Sequence, residues 1–236
     1  HVRSRRQRQM CIRDRKRVTL GNRYVKDSLF ELFEENYLDY PILIPEKLSD
    51  DASKLEYLNL HNGTIWRWNR PIVGVDDDGV KHLRIEQRTP SAGPTVKDSI
   101  ANSMFAVGIV DYFAKLEQAP EDAIPFREAI HNFYKASRQS FFCRVRWVDG
   151  KQHDIKDLLE FEIYPYVKQA LLERGIDKAE VEHYMDGIIL QRIKKGVNGA
   201  IWQKAYIHMH GKRFQELLEK YTENQYQGKP VHQWEL

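Results

Sequence analysis

Residues 80–110 read VKHLRIEQRTPSAGPTVKDSIANSMFAVGIV, and this stretch decides the fold. Over 80–88, Leu83 and Ile85 alternate with Arg84, Glu86 and Arg88, so the spacing predicts a strand with an apolar face and a charged one. Thr89 to Pro94 forms a loop with the small residues Ser91, Ala92 and Gly93. Thr95 then predicts a helix N-cap, with Asp98 three residues on as its capping-box partner. Val96, Ile100, Met104, Val107 and Val110 follow at spacings of three and four, which predicts a helix over 95–117. A charged strand thus leads through a tight loop into a long helix.

Upstream, the DDDG run at 76–79 predicts a turn between strands. TIWRWNR at 64–70 is β-branched and aromatic, and LEYLNLH at 55–61 alternates with period two, so both predict strands. Pro45 to Ser53 predicts a polar loop. KDSLFELFEENY at 27–38 has helical spacing, ended by Tyr40-Pro41. Glu31, Glu34 and Glu35 lie on that helix and are read as a solvated face. Downstream, helices are expected over 124–139, over 154–174 with an interruption or restart at Pro165, over 177–193 with Asp177 and Glu180 as cap and box, and over 199–222. Residues 147–150 predict a short extended segment ending in a turn, and 228–234 an extended tail. The fold class expected is α+β, an antiparallel sheet backed by helices with a helix-rich C-terminal half. Three strands are few for so many helices, and further sheet partners are expected on the N-terminal side.

Of the 37 Lys and Arg residues, eight lie in residues 1–17, HVRSRRQRQMCIRDRKR; of the 34 Asp and Glu, one does, leaving 29 basic and 33 acidic residues in the remainder. The basic balance belongs to this segment, and the body offers no electrostatic case for nucleic acid. The segment lacks the apolar core of a secretory signal. It reads as a basic arm for nucleic acid or anionic lipid, as a targeting peptide, or, as preferred here, as translated sequencing-adaptor sequence, which SRRQRQMCIRDR resembles. Residues 1–17 are therefore set aside as a non-native or disordered tail, and 18–236 are read as the C-terminal portion of one catalytic domain whose start lies upstream. Cys143 stands alone outside that tail, which excludes a disulfide framework and suits a reducing, cytoplasmic setting. No apolar run reaches the length of a membrane span, so no membrane partner is expected.

The charged strand face is the candidate site. Arg84, Glu86 and Arg88 share it, Arg67 and Arg70 stand on the preceding strand, and His61 and Asn62 end the one before. A surface strand can carry such charges for solubility or cross-strand pairing alone. Phosphate transfer needs the same set: arginine forks grip phosphate oxygens in pairs, and a carboxylate supplies a hard ligand for Mg²⁺. No Gly-rich phosphate loop is present. His208 and His210 lie two apart on a helix and make a poor metal pair. His82 shares the face of Arg84. Trp66 and Trp68 are read as packing, and Cys143 as buried and inert.

RIEQRTPSAGPTVKDSIANSMFAVGIV at 84–110 resembles the R-I-E-x-R strand, proline-containing loop and small-residue helix of the glutamine synthetase superfamily. HNGTIWRWNRP at 61–71 is similar to the matching segment of its glutamate–cysteine ligase type 2, or carboxylate–amine ligase, branch, and GVNGAIWQ at 196–203 and PVHQWEL at the end are similar to it with less specificity. The resemblance implies a curved antiparallel sheet whose concave face binds ATP, Mg²⁺ and an acidic amino acid. It implies an ATP-dependent ligase in which a glutamate carboxylate becomes an acyl phosphate that an amine, such as that of cysteine, displaces. Arg84, Glu86 and Arg88 would be catalytic and Glu86 would hold metal. His61 would be a metal ligand or substrate contact. Asn62, Arg67, Arg70, Arg84 and Arg88 would line the ATP and substrate pocket. A homo-oligomer is compatible with this reading. The family draws further metal-binding glutamates from an E-x-E-like N-terminal strand, and none precedes residue 55. The readings carried alongside are a ligase-like binding or regulatory module without turnover, and a nucleic-acid-binding protein that uses the basic arm.

Overall fold

The computed structural model describes residues 11–12 and 15–236, with side chains from Arg17 onward. Most of the basic tail therefore lies outside the described residues. The chain forms two compact units that part at Thr89/Pro90.

In the first unit, β1 (Cys11–Ile12) pairs antiparallel with β2 (Arg15–Lys16). β3 (Val18–Thr19) runs parallel to β4 (Trp66–Arg67). β5 (Asn69–Val75) and β6 (Lys81–Gln87) form an antiparallel hairpin. The expected turn closes it, with the Gly79 N–H donating to Asp76 O at 2.9 Å and Gly79 at φ +82°. β6 and its alternation follow the sequence reading, but the described strands pair two at a time, and the pair β3–β4 is parallel.

α1 (Phe30–Asp39) also forms as expected. The stretch 55–61 does not form a strand. α2 (Glu56–Gly63) occupies it, entered from Leu55 in a left-handed conformation that closes a 3-10 turn, Ala52–Lys54. Leu58, His61, Asn62 and Ile65 carry a three–four spacing that competes with the period-two alternation of Leu58 and Leu60, and the helical period prevails. Glu31 and Glu35 are not simply solvated either. Glu31 Oε1 accepts the backbone N–H groups of Lys26, Asp27 and Ser28 at 3.1, 2.7 and 3.1 Å, which caps the start of α1. Those bonds, from Asp27 and Ser28 above all, hold its carboxyl down at about 2. Glu35 pairs with Arg67 at 3.1 Å. Arg17, the last of the basic run, is buried and donates to Thr64 Oγ1 at 3.0 Å and to the Pro41 carbonyl.

The second unit is helical. α3 (Val96–Ala114) starts at the expected cap, where Thr95 Oγ1 accepts the Asp98 N–H at 3.2 Å and its hydroxyl donates to Asp98 Oδ2 at 2.8 Å. α4 (Pro120–Ala123) and α5 (Phe126–Gln139) follow. The expected turn at 147–150 sits between two strands absent from the sequence reading, β7 (Arg144–Arg146) and β8 (Gln152–Asp154). Ile155–Asp157, a π turn Leu158–Ile163 and Tyr164–Glu173 run on as one helix, α6 (155–173). Pro165 does not interrupt it. The Tyr164 N–H reaches back five residues to Leu159 O, and the proline falls at the start of the following α segment, where its missing N–H does least harm. α7 (178–195) has the same construction, Lys178–Val181, a π turn Glu182–Ile189 and Leu190–Lys195, with Asp177 as its cap. The expected helix over 199–222 is two helices, α8 (Gly199–His210) and α9 (Phe214–Tyr226), broken at Gly211 with φ +78°.

The core of this unit gathers Ala101 of α3, Leu158, Ile163, Val167 and Leu171 of α6, and Val181, Met185, Ile188 and Ile193 of α7. A second cluster joins Trp202, Tyr206, Leu217, Val231 and Trp234. The tail enters that cluster through a 3-10 turn, Val231–Gln233, and is not extended throughout. Val231 N–H donates to Asp98 Oδ2 at 3.1 Å, Lys195 Nζ to the His232 carbonyl at 2.8 Å, and Trp202 Nε1 to the Glu235 carbonyl at 3.1 Å. Among the described residues, no helix is long and apolar enough to cross a membrane.

Candidate functional site

The β5–β6 register sorts the hairpin into two faces. Pro71 stands opposite Ile85 and Val73 opposite Leu83 on one. Arg70 stands opposite Glu86, Ile72 opposite Arg84 and Gly74 opposite His82 on the other. One further pairing, Arg88 N–H to Trp68 O at 2.7 Å, carries the ladder past β6 and puts Arg88 beside the charged face. There Arg70 Nη2 and Arg88 Nε both lie 2.8 Å from the same oxygen, Glu86 Oε2. The Arg88 guanidinium also stacks over the Trp66 ring, 4.3 Å from its centroid, so this exposed indole orients a cation and, against the sequence reading, does not pack in the core. Both arginines keep a fifth of their side-chain surface exposed and Glu86 over a third. The cluster is thus solvent-accessible, with two forks held in place by one carboxylate.

Arg84 shares the face but is engaged elsewhere. Its Nη1 contacts His82 Nε2, and His82 Nδ1 lies 3.0 Å from Asp76 Oδ1. Both side chains pass over Gly74, where a Cβ would sit 2.4 Å from His82 Nε2 and 2.6 Å from Arg84 Nη1. A side chain at position 74 would make the ends of the His82 and Arg84 side chains shift aside.

The other three residues singled out in the sequence enter a buried network. Asn36 of α1 is its hub. Its Nδ2 donates to Asn62 Oδ1 at 3.1 Å, its Oδ1 accepts from Arg67 Nη2 at 3.0 Å, and its carbonyl accepts from His61 Nε2 at 2.9 Å. Asn62 Nδ2 then donates to the Pro71 carbonyl at 2.7 Å, which ties α2 to the strand carrying Arg70. Sequence reasoning missed Asn36. Its signal was the spacing Phe33, Asn36, Tyr40, which puts a polar residue on the buried face of α1, and all three are buried.

No family model matches this chain, and comparison with the curated proteins and with the solved structures finds no significant match.

The donor set fits anions better than cations. Arg70, Arg84 and Arg88 are permanent cations on one strand face, suited to phosphate or carboxylate oxygens. Mg²⁺ asks for several hard oxygen ligands. On this face Glu86 is occupied by two guanidinium groups, and His61 spends Nε2 on a backbone carbonyl. No group of three or more His, Cys, Asp or Glu residues suited to a metal gathers among the described residues. The described residues therefore offer no all-protein cage for Mg²⁺, while Glu86 Oε1 stays outside the two arginine pairs.

Proposed function

We propose that this chain is a catalytic domain of an ATP-dependent carboxylate–amine ligase, similar in kind to glutamate–cysteine ligases, and that it works in the cytoplasm. The reading is supported by one observation above the rest: Arg70 and Arg88 converge on Glu86 on an exposed strand face that also carries Arg84. In this reading the three arginines take the nucleotide phosphates and the acyl-phosphate group formed on the acidic amino acid. They balance charge that spreads over several oxygens during transfer. Glu86 keeps the two forks parallel until phosphate replaces it. The Asn36–Asn62–Arg67 network, with His61, sets the position of the strand that carries Arg70. Magnesium would arrive as the counter-ion of the phosphates. A glutamine synthetase-like curved sheet would be the wider setting of the hairpin, and glutamate and an amine such as cysteine the substrates.

A second reading, a ligase-like binding or regulatory module without turnover, is favoured by the engagement of Glu86 Oε2 with both arginines, which leaves this carboxylate an anchor more than a ligand. Calorimetry of ATP binding with and without Mg²⁺, on the chain and on Arg88→Ala, tests the site. Binding that weakens at least tenfold in the variant supports it; no binding to a folded chain, or equal binding by the variant, rejects it. Release of phosphate from ATP in the presence of glutamate and an amine separates the enzyme from the module.

A further inference from the structure

Neighbouring side chains on a strand point to opposite sides, and β4 sorts its two residues in this way. Arg67 turns inward, to Asn36 and Glu35. Trp66 turns outward and keeps 43% of its surface exposed. There its ring lies under the Arg88 guanidinium, 4.3 Å from centroid to carbon. Nε of the same guanidinium lies 2.8 Å from Glu86 Oε2. Set over a ring and tied at one edge, the guanidinium has little freedom to turn. Among the described residues, its Nη1 and Nη2 have no hydrogen-bond or ion-pair partner. Their N–H bonds are the part of Arg88 left for a ligand.

An unrestrained arginine gives up side-chain freedom when it grips an anion, and that loss weakens binding. The two restraints on Arg88 meet this loss before any ligand arrives. They are not equivalent once it does. An incoming phosphate competes with Glu86 for the arginines, because both are anions seeking the same N–H groups. The indole carries no charge and does not compete. It holds the cation through the face of its ring and leaves the edge free.

The geometry points to Trp66 as a positioning residue for Arg88. It holds the guanidinium with its Nη edge toward the phosphate of the ligand, and it remains in place when that phosphate displaces Glu86. The inference rests on the part of the proposed function that gives phosphate to the arginine face, and not on turnover.

The probes are ATP and tripolyphosphate, which has the phosphates without the base, each titrated calorimetrically into the full chain. Trp66→Leu is expected to weaken both by about three- to fivefold, the size of an exposed cation–π contact, and Trp66→Phe, which keeps a ring, by less than about twofold. In the Arg88→Ala background, Trp66→Leu is expected to change neither affinity, because the cation that the ring holds is gone. Cooperative thermal unfolding is checked for each variant, and Trp66→Thr, suited to a strand, replaces Trp66→Leu if the latter does not fold. Unchanged affinity in the folded variant would overturn the proposal. So would an equal loss with and without Arg88, or a loss confined to ATP, which would assign the indole to the base. Failure of both probes to bind the unaltered chain would overturn this proposal and the ligase reading together. The expected pattern without phosphate release in the presence of glutamate and an amine would reject the enzyme and uphold the role of Trp66.

Discussion

Asp98 has no exposed surface, and its carboxylate serves three parts of the chain. It takes the Thr95 hydroxyl at 2.8 Å, the Val231 N–H at 3.1 Å, and faces Arg192 Nη1 at 3.8 Å. The first of these was legible in the sequence as a capping pair three residues apart. The others were not, because nothing local marks a partner 133 residues away. Asp98→Ala would leave the buried Arg192 guanidinium without its counter-charge and the Val231 N–H without an acceptor. The expected loss is about 3–5 kcal/mol in urea denaturation. A loss under about 1 kcal/mol would show that water takes over both donors. Glu86 makes the opposite case. Its two ion pairs are open to solvent, and such pairs contribute about 0–1 kcal/mol each. Glu86→Gln should therefore leave the thermal midpoint within a few degrees, while ligase turnover, if the proposed function holds, is lost. A variant that melts far lower would mark the cluster as structural.

At the level of elements, the sequence reading succeeds where one period dominates. β6 has a clean alternation, and α3 has both a cap and a three–four spacing. It fails where two periods compete or where contact overrides pattern. Residues 55–61 satisfy both templates, and their helical face wins by burying Asn62 against Asn36. Pro165 looks like a helix break, yet a π turn absorbs it. The β7–β8 hairpin has three residues a side, too short for alternation to register. The packing of α3 on α6 hinges on a residue with no side chain. A Cβ on Gly108 would stand 2.4 Å from Val167 Cγ1, and Val167 is fully buried. Gly108→Ala gains helix propensity but overpacks this contact. The net expectation is a destabilisation of about 1–3 kcal/mol, read from the urea midpoint. Restoring stability with the compensating pair Gly108→Ala and Val167→Ala would place the effect at this contact; a stable single variant would remove it.

For the molecule as a whole, one expected pH dependence comes from His232. The ring is buried, its Nδ1 has no hydrogen-bond partner, and Lys195 and Arg192 stand near it with Asp98 opposing them in charge. Burial first, then Lys195, pushes its pKa below the ordinary histidine value, and Asp98 only partly offsets them. The folded state therefore prefers the neutral ring. Its contribution is fully present above the unfolded pKa, about 6.5, and is lost as the pH falls below that value. The thermal midpoint should drop between about pH 7.5 and about pH 5.5, and His232→Phe should flatten that part of the profile. A profile identical in the variant would assign the acid sensitivity elsewhere. The candidate site was legible in its residue types and only partly in its arrangement. Arg70, Glu86 and Arg88 meet, because a hairpin register follows from alternation. Arg67, Asn62 and His61 turn inward, because Asn36 reaches them from a helix whose buried polar position was overlooked. The Asp98–Val231 bond also sets a timetable. A ribosome delivers α3 long before residues 231–234, so the nascent chain must hold an unfinished Trp202 cluster and an open Asp98 until the last turn emerges. The second unit completes itself only after translation of that turn, and chains halted short of Val231 should be the ones that proteases and chaperones find.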